Sequence, residues 1–195
     1  MQTLVDTYNQ HVSSGKIQRE EEQERLLTKL DALRVIVEQK QRKFLFSKPS
    51  IAPRGVYVWG GVGCGKSMIM DMFVDTLTVG VRRVHFHSFM QEVQSSLNEA
   101  RQGRVKDALS PVVKQISNEV KVLAFDELQI KDIADAMIVG RLFEALMEKG
   151  LTLVVTSNRA PIDLYKNGLN RDLFVPFIEL INERFDVVEV SDVKD

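Results

Sequence analysis

Residues 60–67 read Gly60-Gly61-Val62-Gly63-Cys64-Gly65-Lys66-Ser67, a complete G-x-x-x-x-G-K-[ST] phosphate loop. In such a loop backbone N–H groups close around phosphate oxygens, which glycine permits because it has no Cβ to collide or to restrict φ. Lys66 supplies a point charge for the β- and γ-phosphates, and the Ser67 hydroxyl is placed to ligate Mg²⁺. The flanks meet the condition the motif imposes. Gly55-Val56-Tyr57-Val58-Trp59 is apolar and β-prone, and Ser67-Met68-Ile69-Met70-Asp71-Met72-Phe73 starts a helix. Strand, loop and helix in that order are what the motif requires, and the helix turns its positive dipole end toward the phosphates. A Gly-rich turn matching by accident would lack those flanks.

Outward from the loop, short apolar runs alternate with helical stretches. Strands are predicted at 56–59, 83–87, 122–125, 151–155 and 185–189, and helices at 66–78, 89–101, 108–119 and 133–148, with a break at Gln102-Gly103-Arg104. Near-continuous apolar strands between helices predict a parallel sheet covered on both faces. The expected fold is therefore α/β, a three-layer P-loop NTPase with a five-stranded parallel sheet and ligands at the strands' carboxyl ends. In the usual order of such sheets, 5-1-4-3-2, strand four neighbours strand one. Before this core, residues 1–18 are polar and mixed, with a turn at Ser13-Ser14-Gly15, and 18–45 read as a helix. Leu26, Leu27, Leu30, Leu33, Ile36 and Val37 recur there at three- and four-residue spacing, too few heptads for a coiled coil. The expected organisation is an N-terminal helical segment, 1–50, packing on a core, 51–195, with a Pro-bearing linker at 47–54.

Strand three ends in Asp126-Glu127. Asp126 is expected to hold Mg²⁺ directly or through water, and Glu127 to orient or deprotonate a water attacking the γ-phosphate. Acidic turn residues at strand ends are common; two nucleotide motifs at matching strand ends are not. Strand four ends in Thr156-Ser157-Asn158. With strand four beside strand one, Asn158 would face the γ-phosphate or the water, where an amide can both donate and accept. Arg171 lies beyond strand four; by composition it reads as a surface arginine, by position as one that can project toward a neighbour's γ-phosphate.

The 195 residues suit one domain and are long enough to bury a core. Hydrophobic residues make up 44% and charged residues 27%, with net charge −1 and pI near 6.3, so no global basic field points to nucleic acid. The single cysteine, Cys64, excludes an internal disulfide and fits a reducing compartment. A redox role for it is weighed against a small filler at a variable loop position. No run approaches membrane-span length, and the first 18 residues are neither an Arg-rich presequence nor a secretory signal. Either the protein works where it is made or its start lies upstream.

Longer stretches carry a resemblance. Val84-His85-Phe86-His87-Ser88-Phe89-Met90, Phe125-Asp126-Glu127-Leu128-Gln129-Ile130-Lys131-Asp132-Ile133-Ala134-Asp135-Ala136-Met137-Ile138, Thr156-Ser157-Asn158-Arg159-Ala160-Pro161 and Leu164-Tyr165-Lys166-Asn167-Gly168-Leu169-Asn170-Arg171-Asp172 are similar to the AFG-like and ZapE family of AAA+ ATPases. The resemblance spans most of the chain, Tyr8 to Leu33 included. It implies an AAA+ core that binds ATP and Mg²⁺ through Gly60–Ser67, with Asp126 and Glu127 as the acidic pair. It further implies Asn158 as the sensor and Arg171 as an arginine finger. For the whole protein it implies ATP hydrolysis in a homo-oligomeric ring, a hexamer. Protein clients in remodelling or quality control, peripheral association with the mitochondrial inner membrane, or a cytoplasmic, division-linked role in bacteria also follow from it. Leu128 stands where the family has an aromatic. Family members continue past the equivalent of Asp195, so the helical lid is expected to be absent here.

Two rival functions use the same loop. A phosphotransferase would not need Glu127 and Asn158, and no acceptor motif is evident; an adaptor would hold ATP without turnover. Phe89 and Met90 could belong to a client-gripping pore loop, but core positions suit their helical spacing better. His85 and His87 alternate on a predicted strand with no further ligands in view, which favours structural histidines over a metal pair.

Overall fold

The structure is a computed structural model that describes residues 3–44, 52–103 and 107–191, with backbone alone over 40–44. Its centre is a parallel sheet of β1 (Gly55–Trp59), β2 (Val81–His85), β3 (Val122–Asp126), β4 (Thr152–Ser157) and β5 (Phe185–Glu189), in the order β2-β3-β4-β1-β5. That is the predicted order. The register pairs Val58 with Thr156 and Trp59 with Ser157, so the carboxyl ends of β1 and β4 lie level beside the loop that follows β1. β3 is buried along its whole length and β4 likewise, which is why both read as unbroken apolar runs.

Each face of the sheet has its own core. One carries α4 (Phe86–Gln102), α5 (Leu109–Glu119), α6 (Ile133–Glu148) and α7 (Val175–Arg184), packed on Tyr57, Leu123, Phe125, Leu153 and Val155. Phe125 stacks on Phe143 with ring centroids 5.4 Å apart, and Phe177 meets Phe143 edge-on at 5.2 Å. The other face carries α3 (Lys66–Thr76), and over it α1 (Leu4–Ser13) and α2 (Glu21–Phe44). Leu4, Tyr8, Leu26, Leu27, Leu30, Leu33 and Val37 share one apolar cluster with Ile69, Phe73, Val56, Val58 and Ala124. The stripe of α2 is thus spent on its own chain, with Ile36 left exposed.

Four local expectations are corrected. The polar stretch before residue 18 contains α1, which a capping box starts: Asp6 N–H donates to Thr3 Oγ1 at 3.0 Å and Thr3 N–H to the Asp6 carboxylate at 2.9 Å. Leu4 and Tyr8, four residues apart, are its buried pair. The second strand ends at His85, not at 87. Phe86, Phe89, Met90, Val93 and Leu97 recur at helical spacing and are all buried, so α4 takes over at Phe86 and His87 lies in its first turn. Phe89 and Met90 are core residues, each 1% exposed, as their helical spacing favoured over a pore loop. Strand four runs on through Ser157, and α7, unrecognised in the sequence, buries Phe177, Ile178 and Ile181. Leu128, in place of an aromatic, is buried in the α4–α7 core. Most of the predicted 47–54 linker, and Arg104, lie outside the described residues.

Candidate functional site

The phosphate loop leaves β1 and enters α3 at Lys66. Gly65 has φ +82, a left-handed conformation that a side chain would strain. At Gly60 the constraint is contact: a Cβ would lie 1.9 Å from the Val190 carbonyl oxygen, where the chain leaving β5 crosses the loop. Val62 projects from the tip, 84% exposed. Cys64 points inward, 1% exposed, and its Sγ donates to the Gly61 carbonyl at 3.1 Å, so it packs the loop from beneath. Lys66 is buried, and its Nζ donates to the carbonyls of Gly60 at 2.9 Å and Gly61 at 2.5 Å.

A cleft of about 240 Å³ opens above the loop, lined by Gly63, Gly65, Lys66, Ser67, Glu127, Thr156 and Asn158 among others. Residues from three adjacent strand ends thus meet the loop in one place, as parallel α/β sheets arrange their ligand sites. Glu127 and Asn158 are exposed to the cleft, as is Ser67. Glu127 adopts φ +54, a left-handed conformation uncommon for a residue with a side chain. Asp126, 5% exposed, does not line the cleft; its carboxylate accepts from Arg83 Nε at 2.7 Å. Arg171 lies elsewhere, in a 3₁₀ turn (Arg171–Leu173), donating to the carbonyls of Leu164 and Ile162 at 2.7 Å each.

Three groups that shape the site escaped the sequence reading. Thr156, 2% exposed, accepts from the Glu127 N–H at 3.1 Å and approaches Asp126 Oδ1 at 3.4 Å, stitching the acidic pair to β4. A hydroxyl at the end of an apolar strand beside an acidic pair was the available signal. Gln23, on α2 and 5% exposed, donates to Glu20 at 2.7 Å, accepts from the Tyr8 hydroxyl at 3.0 Å and reaches the Cys64 carbonyl at 3.4 Å. The N-terminal helices therefore touch the phosphate loop itself. Arg83, on β2, has a partner in Asp126 that no spacing in the sequence announces.

Ser67 and Asp126 are hard oxygen donors on adjoining elements, which suits Mg²⁺. That ion is usually held by one or two carboxylates together with substrate phosphates. Among the described residues no group of three or more His, Cys, Asp or Glu could hold a metal ion. His85 and His87 belong to no such group.

Sheet order, phosphate loop and the acidic strand end define a three-layer P-loop NTPase core of the AAA+ type. Its fold matches the DnaC helicase loader with TM-score 0.59 at 17% identity, covering 97% of this chain and 96% of that one. It also matches AMPPCP-bound DnaA from Aquifex aeolicus with TM-score 0.56 at 16% identity, covering 97% and 49%. The chain belongs to the AFG1-like ATPase family, whose model matches residues 2–195. It is 47% identical over 140 residues to the cell division protein ZapE of Escherichia coli K12, covering 71% of this chain and 36% of that protein. To the lactation elevated protein 1 homolog B of Danio rerio it is 42% identical over 155 residues, covering 74% and 31%. The chain spans about a third of the length of these relatives. Relatives in a bacterium and a vertebrate assign no single compartment, and among the described residues no helix is long and apolar enough to cross a membrane.

Proposed function

We propose that this chain is the nucleotide-binding core of an ATP-hydrolysing protein. The observation that carries the proposal is the meeting of Lys66, Ser67, Glu127 and Asn158 around one cleft at the carboxyl ends of β1, β3 and β4. The loop's N–H groups and the α3 N-terminus take the phosphates. Lys66 exchanges the carbonyls of Gly60 and Gly61 for phosphate oxygens. Ser67 and Asp126 would hold Mg²⁺, which would screen charge on the β- and γ-phosphates. Glu127 accepts the proton of the attacking water, and Asn158 orients that water or the γ-phosphate. Substituting Lys66→Ala removes the loop's cation. Calorimetry with ATP·Mg²⁺ is expected to give no detectable binding by the folded variant, and affinity equal to wild type would overturn the site.

For the whole protein the family membership supports a remodelling or quality-control ATPase acting on protein clients as a ring. Arg171 then serves a neighbour's nucleotide. Its place outside its own cleft supports this, as does the exposed apolar surface around it, with Leu169, Ile162 and Leu173 at 70%, 64% and 59% exposure.

A further inference from the structure

Arg83 is the third residue of β2 and pairs in register with Ala124 of β3. Side chains alternate along a strand. Ala124 packs with α3, so Arg83 and Asp126 stand on the α3 side of the sheet. There Arg83 does two things at once. Its Nε donates to Asp126 Oδ2 at 2.7 Å, and its Nη1 forms an ion pair with Asp71 of α3. Asp71 lies four residues beyond Ser67, one turn along the same helix face. One guanidinium thus bridges the carboxylate placed for the metal and a carboxylate one turn past the metal-side hydroxyl. The Asp126 side chain is 7% exposed and that of Arg83 26%, so water screens this pair weakly.

The charges decide what this arrangement does. Asp71 and Asp126 contribute two negative charges and Arg83 one positive, a net of one negative charge. Without Arg83 the two carboxylates would stand uncompensated on the α3 side of the sheet, an attractive site for a free divalent ion. We propose that Arg83 is a positioning residue for the metal carboxylate: it fixes Asp126 and neutralises it until nucleotide phosphates bring in the divalent ion. Free Mg²⁺ is thereby kept from occupying the carboxylate ahead of the nucleotide. The proposal rests on Asp126 being the metal-side carboxylate. The fork of arginine suits the task because two of its N–H groups reach two different carboxylates, where lysine offers a point charge.

The test is Mn²⁺ titration of the nucleotide-free chain, followed by electron paramagnetic resonance. Arg83→Gln is expected to bind one Mn²⁺ at least about tenfold more tightly than wild type. Arg83→Lys, which keeps the charge, is expected to stay within about threefold of wild type. In Arg83→Gln/Asp126→Asn the gain is expected to vanish. Unchanged Mn²⁺ affinity in Arg83→Gln, or a gain that survives Asp126→Asn, overturns the proposal. Should Arg83→Gln not fold, Asp71→Asn remains, because that side chain is 57% exposed. With Arg83 left wholly to Asp126, this variant is expected to need about threefold more Mn²⁺ for half-occupancy at saturating AMPPCP, and an unchanged midpoint overturns the proposal. A wild type that binds no ATP while the nucleotide-free Mn²⁺ pattern holds would overturn the ATPase reading and support the role of Arg83.

Discussion

Thr156→Val removes one hydroxyl and keeps the shape of the side chain. In the folded chain that hydroxyl accepts from the Glu127 N–H at 3.1 Å and has Asp126 Oδ1 at 3.4 Å and the Phe125 carbonyl at 3.5 Å as alternative acceptors for its single proton. Thr156 is 2% exposed, so water replaces it poorly. An orphaned, partly buried amide costs about 1–3 kcal/mol. Taking about 2 kcal/mol and the usual response of a chain this long, about 2–4 °C per kcal/mol, the midpoint should fall by about 4–8 °C. The kinetic effect should be larger than the affinity effect. Glu127 stands at φ +54, a conformation costing about 1–3 kcal/mol that persists because its surroundings hold it. Freed of Thr156, the backbone relaxes and the carboxylate loses its aim, so turnover falls about tenfold, the equivalent of about 1.4 kcal/mol in the barrier. ATP affinity stays within about threefold, because the phosphate loop is untouched. Thr156→Ser keeps the hydroxyl and should retain most of the activity. Melting of this 195-residue chain, and steady-state hydrolysis by the chain extended to the full length of its relatives, provide the assay. A melting shift under about 1 °C together with unchanged turnover would refute the claim that Thr156 positions the acidic pair.

Arg171→Ala should leave nucleotide binding intact and abolish hydrolysis in the full-length protein. Mixing it with Lys66→Ala should restore phosphate release, since fingers acting in trans contribute on the order of 10³–10⁵ in rate; no recovery in mixed oligomers shown to form would exclude a finger supplied across the interface. Asp135 lies in the first turn of α6, where burial first, then the nearby Asp132, raises its pKa above 3.8, against the Gln94 hydrogen bond and the charge of His87. The folded state therefore holds this proton more tightly than the unfolded chain, and stability declines as pH rises from about 3.8 through the raised value. Asp135→Asn, which keeps an acceptor for Gln94, should melt higher than wild type at pH 7 and lose the advantage as the pH falls below that window. Equal melting at pH 7, or an advantage that persists at low pH, would contradict the burial cost.

What could be read from the sequence was local chemistry with a fixed spacing. The phosphate loop carries its own flanks, and the apolar runs of β3 and β4, set between helical stretches, point to buried parallel strands, so the sheet and its ligand-bearing edge were legible. Boundaries failed where one apolar run changed period without punctuation. Val84-His85-Phe86-His87 alternates like a strand, yet Phe86 already belongs to the buried face of α4. α1 was missed because ten mostly polar residues needed two buried contacts, Leu4 and Tyr8, and a capping box to define a helix. Site residues acting through others were illegible for a different reason. Arg83 and Asp126 are 43 residues apart, and Gln23 and Cys64 are 41 apart, so only strand pairing in the first case and the packing of α2 over the phosphate loop in the second bring them together.

In the proposed function Glu127 activates water at a site that Lys66 and the phosphate loop build independently. The most direct test is Glu127→Gln in the full-length protein, with ATP binding measured by calorimetry and turnover by phosphate release. Glutamine keeps the size and the backbone of the site but cannot take a proton. ATP affinity should remain within about threefold of wild type while turnover falls at least roughly a hundredfold, the usual scale for losing a general base. Turnover reduced by less than about threefold with binding intact would assign the water to another residue and contradict the account.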